Sequence, residues 1–172
     1  MSSDGNHSDP RPAGSRPIGQ GPGSAARMPS DKRRILVVDD DRSIREMFQT
    51  VLSCKLQDCH IDVAVGGEEA ISMFEEAHHG IILMDMRMPE MEGDGAFRKI
   101  QEFCAANSWE EPCCVFITGF EPNAGVRSIL DENRQHCLLR KPVKNKDLVR
   151  VLESRLKGRH AGGSTSTSAP AE

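Results

Sequence analysis

The sequence predicts an α/β domain: a five-stranded parallel sheet, order 2-1-3-4-5, flanked by helices on both faces. Three observations carry that expectation. Short apolar runs alternate with amphipathic stretches five times, the pattern of parallel strands joined by right-handed helical crossovers. The run "GIILMD" is apolar without a break, as strands covered on both faces are, whereas "HIDVAV" alternates, which suits an edge strand. Polar residues also gather at the ends of the apolar runs, on the rim where open α/β sheets bind ligands.

Each element follows in turn. "RILVV" is the first strand, and "DRSIREMFQTVLSCKL" the first helix, with Ile44, Met47, Phe48, Val51 and Leu52 on one face. "HIDVAV" follows, with Ile61, Val63 and Val65 alternating. "GEEAISMFEEA" is helical through Ala70, Ile71, Phe74 and Ala77. After the central "GIILMD" comes "GAFRKIQEFCAA", helical through Phe97, Ile100 and Cys104. "CCVFITG" reads as a fourth, buried strand and "NAGVRSILDEN" as a shorter helix. "HCLLRKP" and "KDLVRVLESRLK", with Leu148, Leu152 and Leu156, complete the series.

Outside this span the composition changes. Residues 1–31 are rich in Gly, Ser, Pro and Arg without periodicity, and the tail from Gly158 reads the same way. Both are expected to be disordered, leaving one domain over 32–157. No apolar stretch approaches the ~20 residues that span a bilayer, and the N-terminus lacks the apolar centre of a secretory signal. The cytoplasm is the expected compartment, with no membrane partner. A net charge of −4 offers nothing to nucleic acid. The Cys residues form no C-x-x-C or mixed Cys/His cluster, so they read as reduced, mostly buried thiols rather than metal ligands. Adjacent His78 and His79 at a helix end read as solvated caps.

The chemistry is expected on the rim. Asp39 and Asp40 end strand 1 and Asp85 ends strand 3, while Thr118 ends strand 4 and Lys141 ends strand 5. Singly, each has a plain explanation, such as a helix cap or a solvated strand end. Together they converge on the point where the chain reverses its direction of winding. Carboxylates packed this closely raise one another's pKa. A hard divalent cation relieves the repulsion, and Mg²⁺ is commonly held by one or two carboxylates with phosphate oxygens and water.

"ILVVDDDRSIR", "IILMDMRMPEMEG", "VFITG" and "LLRKPV", in this order and at these separations, resemble the receiver domains of two-component response regulators. The resemblance covers about Arg34 to Leu156 and implies the flavodoxin-like receiver fold, of the chemotaxis-regulator kind. It implies that Asp85 accepts a phosphoryl group from a histidine kinase or histidine phosphotransfer protein. Asp40, Asp85 and the backbone carbonyl of Arg87 would hold Mg²⁺, with Asp39 acting through its water shell. Thr118 and Lys141 would each take a phosphoryl oxygen, and Pro142 would follow a cis bond. Asp41 lies outside the acidic pair and is expected to start a helix. Gly93 matches the turn glycine after strand 3. Arg87 and Phe120, two beyond the acceptor and two beyond the Thr, would flank the path of the attacking water.

One departure from the family pattern stands out. Leu138 occupies the strand-5 position where receivers commonly carry an aromatic switch residue. Among other classes, a P-loop nucleotidase lacks its motif here, and "DDDRSIREMF" lacks the spacing of an EF-hand. A flavin protein would want a Ser/Thr/Gly-rich loop where "DDDRS" stands. A dehalogenase-type phosphatase would need a carboxylate where Arg87 stands. The expected function is a stand-alone response regulator acting on an unidentified target protein. A phosphorelay intermediate or sink is the alternative, and a phosphorylation-independent adaptor comes third. The protein is expected to be a signalling phosphoacceptor rather than an enzyme.

Overall fold

The computed structural model describes residues 29–158. The predicted tails lie almost wholly outside the described residues. The chain runs β1 (Asp31–Val38), α1 (Arg42–Lys55), β2 (His60–Ala64), α2 (Gly67–Ala77), β3 (His79–Asp85), α3 (Gly93–Asn107), β4 (Cys113–Thr118), α4 (Ala124–Glu132), β5 (Cys137–Arg140) and α5 (Asn145–Gly158). The five strands are parallel in the order β2-β1-β3-β4-β5. The predicted architecture is therefore the observed one.

Alternation along the strands divides the core into two layers. Leu36, Val38, Ile82, Met84, Cys114 and Phe116 pack beneath Phe74 of α2, Phe97 and Ile100 of α3, and Ile129 of α4. Ile35, Val37, Ile81, Leu83, Val115 and Ile117 pack against Phe48 and Leu52 of α1 and Leu148 and Leu152 of α5. Every residue of β3 and β4 is buried, because these strands are covered on both faces.

Several expectations need correction. β1 begins at Asp31, and Ser30 just before it is buried, its amide and hydroxyl donating to Glu110 Oε2. Met47 is exposed at the edge of the α1 stripe, and Val65 lies beyond the end of β2 and is exposed. His78 and His79 are not solvated caps. His78 closes α2 in a left-handed conformation, but its ring is buried, stacked on Trp109 and bonded through Nε2 to the Glu110 carbonyl. His79 opens β3, fully buried, with Nε2 2.9 Å from Asp62 Oδ2. The polar partners that make this burial tolerable are distant in sequence, which is why spacing did not reveal it. Of the thiols, Cys104, Cys113 and Cys114 are buried, Cys59 and Cys137 are half-buried, and Cys54 is exposed; all are free.

Candidate functional site

Strand register assembles the rim. Val38 pairs with Met84, so the next residues, Asp39 and Asp85, stand side by side. Both keep the parity of Ile35 and Ile81 and so project toward the α1/α5 layer. Asp85 pairs with Ile117 and Thr118 with Arg140, which places Thr118 and Lys141 one step beyond on the neighbouring strands. The Lys141 amide donates to the Thr118 carbonyl at 2.8 Å, and the Lys141–Pro142 bond is cis.

Lys141 Nζ bridges the two acids, 2.6 Å from Asp85 Oδ1 and 3.3 Å from Asp39 Oδ2. Both carboxylates are nearly inaccessible, whereas the lysine is about one-third exposed. Burial pushes the Asp39 carboxyl up, with the Asp41 amide and Lys141 pulling the other way and Asp85 adding to the rise. Lys141 is held above its ordinary value: burial opposes its charge, but the hydrogen bond and charge of Asp85, joined by Asp39, outweigh it.

The remaining carboxylate oxygens are oriented by backbone. Asp85 Oδ2 accepts from the Arg87 amide at 3.0 Å, and Asp39 Oδ1 from the Asp41 amide at 2.9 Å. Arg45, which the motifs did not single out, donates from Nη1 to the Asp39 carbonyl at 2.6 Å. Helical side chains lean toward the helix N-terminus, so an Arg in the first turn of α1 was the available signal.

Asp40 and Asp41 part company. Asp41 caps α1, its Oδ1 accepting from the amides of Ser43 and Ile44. Asp40 is exposed and has no hydrogen-bond or ion-pair partner among the described residues. It lines an open pocket of about 400 Å³ with Gly66, Pro89 and Met91. Thr118 Oγ1 is held by the following loop, accepting from the Phe120 amide at 3.1 Å and donating to its carbonyl at 3.3 Å. Phe120 is exposed and carries the Arg87 guanidinium over its ring. These two, with Thr118, Met86 and Glu92, border a pocket of about 100 Å³. Leu138 is half-buried in β5 opposite Phe116, packed against the α2/α3/α4 layer. Gly93 opens α3, where a Cβ would collide with the Asp85 carbonyl oxygen.

Among the described residues no group of three His, Cys, Asp or Glu side chains is close enough to hold a metal ion by itself. The rim fits a hard cation that takes only one or two carboxylates and completes its shell with carbonyl, water and phosphate oxygens. It does not fit a soft or all-protein site.

Residues 35–153 match the family model of the response regulator receiver domain, and the chain belongs to that family. Receivers are signalling phosphoacceptors of two-component systems rather than enzymes in the usual sense, taking phosphate from histidine kinases, typically with Mg²⁺. The chain is 37% identical over 71 residues to a probable transcriptional regulator, ycf27, of Porphyridium aerugineum, covering 41% of this chain and 29% of that one. It is 32% identical over 139 residues to hybrid signal transduction histidine kinase B of Dictyostelium discoideum, covering 73% of this chain and 7% of that one. The chain thus spans less than a third of these curated relatives. A CheY-like receiver domain from Methanospirillum hungatei JF-1 has the same fold, with a TM-score of 0.64 at 23% identity, covering 76% of this chain and 98% of that one. Among the described residues no helix is long and apolar enough to cross a membrane.

Proposed function

We propose that Asp85 accepts a phosphoryl group from a histidine kinase or a histidine phosphotransfer protein, and that this modification switches binding to a target protein. The observation that carries the reading is the Lys141 bridge, with Nζ 2.6 Å from Asp85 Oδ1 and 3.3 Å from Asp39 Oδ2. A cation in contact with one Asp85 oxygen and close to a second buried acid supports the reading, because it can neutralise charge where a phosphoryl group would arrive. Phosphoryl transfer asks for little else, being governed by in-line positioning and charge neutralisation.

In the transfer, an Asp85 carboxylate oxygen forms the O–P bond as the N–P bond of the phosphohistidine breaks, and the imidazole leaves with the electron pair. The Arg87 amide fixes the plane of the Asp85 carboxylate. Lys141 passes from the carboxylate to a phosphoryl oxygen. The Thr118 hydroxyl serves a second oxygen once it stops donating to the Phe120 carbonyl. Asp40, Asp85 and the Arg87 carbonyl would hold Mg²⁺, with Asp39 reached through water. The ion supplies neutralisation of the clustered carboxylate and phosphoryl charge. Free thiols throughout the described residues support a reducing, cytoplasmic setting.

Incubation with a small phosphodonor and Mg²⁺ is expected to add one phosphoryl group, and Asp85→Asn to abolish the addition. Unchanged labelling of the Asn variant would remove the reading. A relay role is the second reading, favoured by Leu138, which lacks the ring that would report the state of Thr118 to the surface.

A further inference from the structure

We infer that the cleft between the C-terminal ends of α1 and α5 is a docking site for an acidic peptide segment bearing a large apolar side chain. The cleft lies at the start of β1 and β2, the opposite end of the strands from Asp85, roughly 20 Å away along β1. Its volume is about 490 Å³, within the roughly 300–1,000 Å³ of pockets that engulf a ligand.

The floor is apolar. Leu56 belongs to the α1/α5 core layer, and half-buried Cys59 and Leu156 pack against that layer. The rim is basic, with Arg33 from β1, Lys55 from α1 and Lys157 from α5. Among the described residues Asp58 is the only acid lining the cleft, and it is 3.3 Å from Arg33. Lys55 and Lys157 therefore have no carboxylate partner among the described residues. Among the described residues, three cations against one anion line the cleft, and Asp31, which accepts from the Arg33 amide, is a second acid just outside the lining, on a chain whose net charge is −4.

A cation in the last turn of a helix complements the macrodipole, which accounts for Lys55 and Lys157 singly. It does not account for Arg33, nor for cations from three elements meeting over an apolar floor. Charge complementarity selects an acidic occupant, and the part of the floor left accessible at Leu156 and Cys59 selects an apolar anchor for it. The cations stand on the rim rather than in the floor. Carboxylates on either side of a buried anchoring side chain would reach them, which is a spacing a peptide provides. Because Asp85 is at the far end of the sheet, a partner held here leaves the acceptor rim open. The cleft would tether a partner in both phosphorylation states.

The test is a titration of the ¹⁵N-labelled full chain with a synthetic hexapeptide, two acidic residues on each side of a Leu-Phe pair. Saturable amide shifts are expected at Arg33, Lys55, Leu56, Cys59, Leu156 and Lys157. The double variant Lys55→Glu/Lys157→Glu is expected to bind at least about tenfold more weakly, with the amides of Asp39 and Ile117 unmoved as evidence that the fold is intact. Equal affinity for the charge-reversed variant would overturn the assignment. Equal binding of a probe with Ser-Ser in place of Leu-Phe would also overturn it, by reducing the effect to ion condensation. Concerted movement of resonances from residues beyond Gly158 would assign the cleft to the chain's own tail instead of a partner. Absence of any localised shift would overturn the proposal outright.

Discussion

The guanidinium carbon of Arg87 lies 4.1 Å from the centroid of the Phe120 ring. The pair closes one side of the small pocket beside Thr118, between the loops that follow β3 and β4. Such a contact is worth about 0.5–1 kcal/mol at an exposed site, enough to favour one position of both side chains. If Asp85 is the phosphoacceptor, as proposed, the pair would flank the path of the water that hydrolyses it. Neither side chain carries a carboxylate or amide to orient that water. Slow self-dephosphorylation is therefore expected. Replacing Arg87 by Asn and Phe120 by Glu should speed loss of the acyl phosphate about tenfold, a barrier change of only ~1.4 kcal/mol. Decay measured by release of labelled phosphate tests this, and an unchanged rate would dismiss the shield.

Asp40 and Asp41 should fail in different ways. Asp41 accepts two amide hydrogen bonds at the start of α1, so Asp41→Ala should cost about 1 kcal/mol of stability through the lost cap. Asp40 stabilises nothing that the structure shows, yet it stands exposed beside Asp39 at the rim. Asp40→Ala should leave urea stability nearly unchanged and weaken Mg²⁺ binding far more than Asp41→Ala does. Equal Mg²⁺ losses from the two would mean the ligand position is misassigned.

How far the residues could be read in advance follows from the range of the interactions. Strand identity and order were legible because burial on both faces of β3 and alternation in β2 leave period-level marks in a short window. The rim was legible because strand ends are local features and register then brings them together. What stayed hidden was pairing across long separations. His136 illustrates it. The ring is buried, its Nδ1 accepting from the Cys114 amide at 3.0 Å and its Nε2 lying 2.8 Å from Glu111 Oε1. Nothing near His136 in sequence announces either partner. Asp62, His79 and Arg34 form the corresponding group at the start of β1, β2 and β3. The Arg87–Phe120 contact was half legible: both positions stood out, but their mutual stacking depends on side-chain conformation.

The His79 cluster predicts acid sensitivity. Burial holds the His79 imidazole below its ordinary 6.5 despite the pull of Asp62. Its Nδ1 has no hydrogen-bond partner among the described residues, so an imidazolium would leave a buried N–H unpaired. In the unfolded chain His79 takes up a proton as pH falls through 6.5, while the folded protein does not. Stability should therefore fall below pH 6.5, by at most about 1.4 kcal/mol per pH unit for one proton, until the folded pKa is passed. Asp62 and Glu111 act in a lower window. Burial pushes each carboxyl up, but hydrogen bonds outweigh it, from Arg34 and His79 for Asp62 and from His136 and Gln101 for Glu111. Both end below their ordinary values, so their contribution is complete above those values and is lost as pH falls through the folded ones. Urea unfolding between pH 5 and 8 measures the upper window. His79→Gln should remove that part of the slope, and an undiminished slope would assign it to another group.

Gly93 ties stability to the strand that ends at Asp85. Its amide donates to the Met86 carbonyl at 3.0 Å, so the backbone of α3 begins directly against the end of β3. A Cβ at this position would overlap the Asp85 carbonyl oxygen and come within 2.8 Å of Met84 Cγ. The methionine side chain can give way, but the carbonyl can move only with the backbone of Asp85. Gly93→Ala should therefore cost about 1–3 kcal/mol by overpacking. The strain also acts at the site, because moving the Asp85 backbone disturbs both the 2.6 Å contact of Oδ1 with Lys141 and the 3.0 Å contact of Oδ2 with the Arg87 amide. The initial rate of labelling by a small phosphodonor should fall even where circular dichroism shows the variant fully folded. Gly95, two residues on, is the control. A Cβ there meets only Met91 Cγ, at 3.9 Å, so Gly95→Ala should leave labelling unchanged and slightly stabilise α3 through its better helix propensity. Equal labelling rates for the two variants would show that the close approach at Gly93 has no bearing on the chemistry of Asp85.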